Sequence, residues 1–185
     1  KAADARWFNP LNGDIHKADI NGDGVLVNLR SGESMILATY DTPQTEANTP
    51  AKELTAVEKP LRGKWSLHFA ESAPKVDKTF TLDSLQTWET LNDDSVKVTM
   101  GTGIYTTTVN MTKQEAQADW QIELGDVRES ARVYINGTFI GCAWSVPFSL
   151  DCKKAFRPGK NTIAIEVTNL PANRIAQLDR KGYPW

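Results

Sequence analysis

Asp19-Ile20-Asn21-Gly22-Asp23-Gly24 is the segment whose residue types and spacing come nearest to chemistry. Oxygen-bearing side chains at alternate positions, followed by a glycine that permits a sharp turn, match the opening half of a calcium loop, D-x-N-x-D-G. Asp19, Asn21 and Asp23 are therefore the expected ligands of a structural calcium, the one cofactor the sequence leaves open. The twelfth position of such a loop calls for a bidentate glutamate, and here it is Arg30. No helical pattern flanks the segment, and the same residues also suit a turn between two strands.

Catalytic groups are harder to find. Glycoside hydrolysis needs two carboxylates facing one bond. Glu123 and Glu166 fall on the outward phase of strands and read as solvent-facing charge. There is no Ser-His-Asp set, no Cys-His pair and no phosphate loop. Gly101-Thr102-Gly103 precedes a strand rather than a helix, so it reads as a bend. No catalytic residue is assigned. The two cysteines and the two distant histidines, His16 and His68, are too few for a metal site. A fold-back around Ser145–Pro147 brings Cys142 and Cys152 near cross-strand register, which leaves a disulfide open. The alternative is two buried thiols acting as small apolar groups.

Aromatic faces stack on the C–H surface of sugar rings, so each of the six tryptophans needs a reading. Trp65 and Trp120 fall in phase with apolar strand positions and belong to a core. Trp7 and Trp88 fit either role, and Trp185 follows Tyr183-Pro184 at the end of the chain. Trp144 stands beside Pro147 and Phe148 at a strand corner, where it either packs or offers a platform to a sugar. Asn169, Asn173 and Arg174 follow the last long strand. There they donate hydrogen bonds to sugar hydroxyls or a neighbouring domain; the alternative is that Asn173 and Arg174 tie down the chain end through backbone carbonyls. Trp144, Asn169, Asn173 and Arg174 form the expected carbohydrate-binding set.

The elements that must position these residues are strands. Ala131, Val133 and Ile135 alternate with Arg132 and Tyr134, and Asn136-Gly137 leads into Thr138–Gly141. Asn-Gly between alternating runs marks a two-residue hairpin, because both turn residues take positive φ. Trp65, Leu67 and Phe69 alternate likewise, as do Val96, Val98 and Met100, the run 104–111, Trp120 to Leu124, and Ile163 to Val167. Val25–Leu29 and Met35–Tyr40 read as strands of a small N-terminal β-meander. Ser84–Leu91 reads as a short irregular piece, and Lys113–Ala118 as the one helical turn. Thr42–Pro60 carries Pro43, Pro50 and Pro60 with little apolar periodicity and reads as a linker. The division is residues 1–59, a small β-region and linker, and residues 60–185, a β-sandwich.

Composition narrows the partners. A formal charge of -2 with scattered basic residues favours neither nucleic acid nor an anionic membrane surface. No apolar run approaches the ~20 residues a membrane helix needs. The chain opens on Lys1 and reads as a segment of something larger.

At this point the residues resemble a known family. Gly103-Ile-Tyr-Thr-Thr-Thr-Val, Trp120-Gln-Ile-Glu-Leu-Gly-Asp-Val, Ala131-Arg-Val-Tyr-Ile-Asn-Gly-Thr-Phe-Ile-Gly, Trp144-Ser-Val-Pro-Phe-Ser-Leu-Asp and Pro158-Gly-Lys-Asn-Thr-Ile-Ala-Ile-Glu-Val-Thr-Asn are similar to the sugar-binding domain of family 2 glycoside hydrolases. The ending Asn169-Leu-Pro-Ala-Asn-Arg looks most like the C-terminal region of family 106 α-L-rhamnosidases. The resemblance implies an all-β fold, an antiparallel jelly-roll β-sandwich of the galactose-binding-like kind. It implies a non-catalytic accessory segment of a glycoside hydrolase, beside a barrel that carries the catalytic carboxylates. No alternating strand–helix pattern of such a barrel is present here. The implied partners are carbohydrate or an adjacent catalytic domain, and the implied location is secreted or periplasmic. A free-standing carbohydrate-binding module and an interaction domain without sugar affinity are the other readings.

Overall fold

The computed structural model describes residues 2–45 and 57–184. The expectations that fall on Pro50 and Trp185 lie outside the described residues. The chain divides into two compact units, Lys1–Lys59 and Pro60–Trp185.

In the first unit, β1 (Asp4–Phe8) is the centre of a three-stranded antiparallel sheet, flanked by β2 (Ile15–Lys17) and by a later strand. A two-stranded ribbon follows, β3 (Ile20–Asn21) and β4 (Gly24–Val25). The later strand is β5 (Ile36–Tyr40). The strand expected over Val25–Leu29 stops after Val25. Leu26, Val27 and Leu29 are exposed, and Leu26 N–H instead donates to the Asp19 carbonyl at 3.1 Å. Among the described residues no strand pairs with residues 26–29, and β-propensity alone does not extend the ribbon.

The centre of this unit is polar, which the residue pattern alone does not signal. Asp4 and Arg6 are both buried, and the Asp4 carboxylate lies 3.4 Å from Arg6 Nε. Gln44 closes the arrangement. Its N–H donates to Asp4 at 2.9 Å, and its carbonyl accepts from Arg6 at 2.6 Å. The Gln44 N–H first, and Arg6 and the Ala5 N–H beside it, hold the Asp4 carboxyl below its usual range.

The second unit is an antiparallel β-sandwich. Its elements in order are β6 (Trp65–Ala73), β7 (Phe80–Leu82), a 3-10 turn (Trp88–Thr90), α1 (Asp94–Lys97), β8 (Met100–Met111), α2 (Lys113–Gln117), β9 (Gln121–Glu123), β10 (Ser130–Ile135), β11 (Thr138–Ala143), β12 (Ser149–Asp151), β13 (Gly159–Thr168) and α3 (Ala172–Arg180). Six strands form one sheet in the order β11-β10-β13-β8-β6-β7, and β12 pairs with β9 in a second. Trp65, Leu67, Tyr105, Val133, Ile135, Ile163 and Ile165 share one side of the large sheet. They pack with Ile122 and Leu150 of the small sheet's strands, and with Cys152, Trp88 and Val96. Each fully buried aliphatic side chain there contributes about 1.5–3 kcal/mol. Gly141 lets the layers approach, since a Cβ on it would lie 3.1 Å from Leu150.

The hairpin forms as expected. Asn136 and Gly137 take φ of 53° and 81° between β10 and β11. The helical turn near residue 113 is α2, closed by a capping box between Thr112 and Glu115. Two readings need correction. Val96–Met100 does not run as a strand. Asp93 accepts from the N–H groups of Ser95 and Val96 and starts α1 instead, with Val96 buried. And α2 is not the chain's only helical turn, because Ala172–Arg180 forms α3.

Candidate carbohydrate-binding surface

The register of the large sheet locates the expected site. Ala143 pairs with Ala131, Ala131 with Val167, and Val167 with Gly103. Trp144 therefore leaves β11 at the same end of the sheet where Asn169 leaves β13 and where β8 begins. Trp144 directly follows the edge strand, two strands from β13, which at ~4.8 Å per strand is about 10 Å across the sheet.

The four residues differ in what they are doing. Trp144 is 64% exposed. Phe148, not Trp144, packs against the core at this corner, so the packing alternative belongs to Phe148. Asn169 is a clasp. Its Oδ1 accepts from Gly101 N–H at 2.9 Å and its Nδ2 donates to the Thr99 carbonyl at 3.0 Å, joining the exit of β13 to the entry of β8. Asn173 donates to the Glu89 carboxylate at 2.8 Å, which ties α3 to the 3-10 turn. The Arg174 guanidinium hydrogen-bonds Gln177 one turn along α3. The two bind side chains rather than the backbone carbonyls considered from the sequence. Trp144 is the one of the four whose side chain is largely turned to solvent.

Trp65, Trp88 and Trp120 are structural. Trp65 is buried, and Trp88 is buried with its Nε1 donating to the Tyr105 hydroxyl at 2.7 Å. Trp120 donates to the Glu115 carbonyl at 2.7 Å.

Asp19, Asn21 and Asp23 lie in the β3–β4 ribbon. Gly22, at φ 62°, and Asp23 form its turn, and Asn21 pairs with Gly24. The segment is a tight two-strand turn rather than a wrapped loop. Among the described residues, no group of three or more His, Cys, Asp or Glu is placed to hold a metal. Cys142 and Cys152 are both free thiols. The strand containing Cys142 pairs with β10, and the strand preceding Cys152 pairs with β9, so the fold-back does not put them in cross-strand register. Burial pushes the Cys152 thiol up to about 11.

Among the described residues, the carboxylates whose ionisation is displaced are held low. The Lys78 ammonium does this to Asp93 and the Arg128 guanidinium to Asp126, as Gln44 does to Asp4. A general acid for glycoside cleavage needs the opposite displacement.

A family model described as glycosyl hydrolase 2 galactose-binding domain-like matches residues 87–185. A protein of Formosa agariphila, provisionally named a beta-glucuronidase, is 28% identical over 169 residues. The match takes in 83% of this chain and 14% of that protein. The structure of a rhamnosidase from Novosphingobium sp. PP1Y superposes on 97% of this chain with a TM-score of 0.75 at 24% identity. This chain corresponds to 17% of that one. A beta-glucuronidase of an uncultured Clostridium sp. superposes on 64% of this chain and 24% of its own, with a TM-score of 0.53 at 17% identity. The last two share the fold. The chain thus spans about one-seventh of the curated relative's length.

Proposed function

Because the chain belongs to the glycosyl hydrolase 2 galactose-binding-like domain family, we propose that it is a non-catalytic β-sandwich segment of a larger glycoside hydrolase engaged in carbohydrate degradation. Its work is to support or orient a carbohydrate site whose reacting groups lie on an adjacent catalytic domain. The observation that carries this reading is proportion. Most of this chain aligns with a small fraction of a much longer protein named for a glycosidase activity.

In the same reading, residues 1–59 are a β-region and linker and residues 60–185 the galactose-binding-like sandwich. Trp144 is the primary sugar contact, with Asn169, Asn173 and Arg174 shaping the sheet end beside it. The parent enzyme is secreted or periplasmic.

The test is direct. The 185-residue chain is incubated with chromogenic β-D-glucuronides and α-L-rhamnosides, the substrates suggested by the relatives' names. No release above the buffer rate is expected. Turnover by this chain alone overturns the non-catalytic reading.

A further inference from the structure

We propose that the outward face of the β10–β11 edge, from Trp144 to Phe139, is a lane that binds an extended oligosaccharide. The proposal rests on the accessory-segment reading above and gives it a specific surface.

The pairing register defines the lane. Ala131 and Ala143 face each other and are both buried, so they mark the core side. One step away, exposed Arg132 faces Cys142, which marks the outward side. Trp144, one residue past Ala143, continues the outward phase and is 64% exposed. At the other end of the strand Phe139 pairs with Tyr134 across a bulge and is 53% exposed. Its ring is held by Tyr134, with centroids 5.4 Å apart at 55°. Phe139 and Trp144 are thus two aromatic groups on one face of one edge strand, roughly 13–16 Å apart at ~3.3 Å per residue. That separation exceeds a single sugar ring and fits a chain of them.

Polar groups fill the interval. No hydrogen-bond or ion-pair partner is seen for Arg132 among the described residues. On the next strand Arg132 faces Glu166, whose carboxylate accepts from the Tyr134 hydroxyl at 3.3 Å. Beyond it the Thr102 and Thr168 hydroxyls lie 2.9 Å apart. The lane therefore offers stacking faces at its ends with hydrogen-bond donors and acceptors between them, which is what rings bearing both C–H faces and hydroxyls require. A protein partner would call for a continuous apolar centre. Here a guanidinium and a carboxylate interrupt the apolar surface, which favours carbohydrate.

The full chain is applied to a printed array of neutral and uronate-bearing oligosaccharides, from disaccharides upward. Hits are then titrated by calorimetry, whose signal does not depend on Trp144. Binding is expected to tighten with oligosaccharide length until both aromatic ends are spanned. Trp144→Ala and Phe139→Ala should each weaken it about tenfold, the size of one lost stacking contact. Arg132→Ala should weaken it several-fold. All three side chains are exposed, so melting temperatures should stay at the parent value and exclude misfolding as the cause. No binding on the array, or binding that persists unchanged in both aromatic variants, overturns the lane. Either result leaves the accessory reading standing, because that reading fails only on turnover by the chain itself.

Discussion

Asn161 is the residue whose replacement should cost this sandwich most for its size. It is fully buried on β13, and all of its amide's capacity is used. Oδ1 accepts from Arg157 N–H at 2.9 Å and from Asn136 Nδ2 at 2.7 Å. Nδ2 donates to the carbonyls of Arg157 at 2.7 Å and Gly159 at 2.9 Å. Asn136 in turn accepts from Thr162 N–H at 3.1 Å, so the amide pair locks the β10–β11 turn onto the entry of β13. Asn161→Ala removes four hydrogen bonds and leaves their partners in a part-buried site. At about 1 kcal/mol each, the loss is ~4 kcal/mol, a large share of the 5–15 kcal/mol that usually stabilises a domain. Urea unfolding followed by tryptophan fluorescence should show a lower midpoint at unchanged slope. A loss below about 1 kcal/mol would refute the reasoning, because it would mean water replaces all four bonds freely. Asn161→Asp adds a sign. It keeps the shape but turns an acceptor toward two carbonyls, which favours the protonated carboxyl in the folded state. A folded-state pKa raised in this way gives stability that is present below about pH 4 and lost as pH rises through the folded value. The deficit of Asn161→Asp relative to the parent should therefore grow from acid to neutral pH.

Two further outcomes follow from buried groups. Tyr105→Phe strands the buried Trp88 indole N–H and should cost about 1–3 kcal/mol. Burial raises the Tyr105 phenol above its usual value, with the Trp88 bond partly opposing. Its stability contribution is thus present below about pH 10 and lost above it, so a stability–pH titration should fall more steeply for the parent than for Tyr105→Phe. A thiol reagent at about pH 8 should label half-buried Cys142 and spare Cys152, whose thiol sits near 11 inside the core. Cys152 should react only when urea opens the sandwich, and labelling of both in the folded chain would contradict its burial.

Local signals explain why the fold was so largely legible. Asn136-Gly137 demands positive φ at two successive residues, and few backbones other than a hairpin supply it. Strict alternation on β8, β10 and β13 follows because one face of the sheet is core and the other is not. The misreadings share a cause. Val96, Val98 and Met100 alternate as a strand would, yet Asp93 caps a helical turn that takes in Val96. Cap and period competed, and the cap prevailed. Over Ala172–Arg180 the Asn169-Leu-Pro opening drew attention to a loop, while a proline at the start of a helix is also an ordinary entry. Asn161 could not be found from sequence at all. An asparagine in an alternating strand reads as a surface residue until the partners of its amide are known.

The same distinction governs the site. Amides and guanidinium groups suit sugar hydroxyls, which is what makes Asn169, Asn173 and Arg174 candidates in the sequence. Those donors suit backbone carbonyls and carboxylates equally, and Asn169 serves the sheet in that way. Residue type states what a group can bind, whereas exposure and register decide what remains for it to bind. By that measure the open chemistry of the sheet end passes from the C-terminal polar residues to the edge strand. There Trp144 and Phe139 stand unburied on one face, with Arg132 between them. An edge strand bearing exposed aromatic groups invites aberrant pairing unless something habitually covers it. A sugar chain laid along that face would cover the rings while leaving the strand's backbone groups to solvent. Occupancy should therefore bury the Trp144 ring and change its fluorescence, while pairing through the edge backbone should be unaffected.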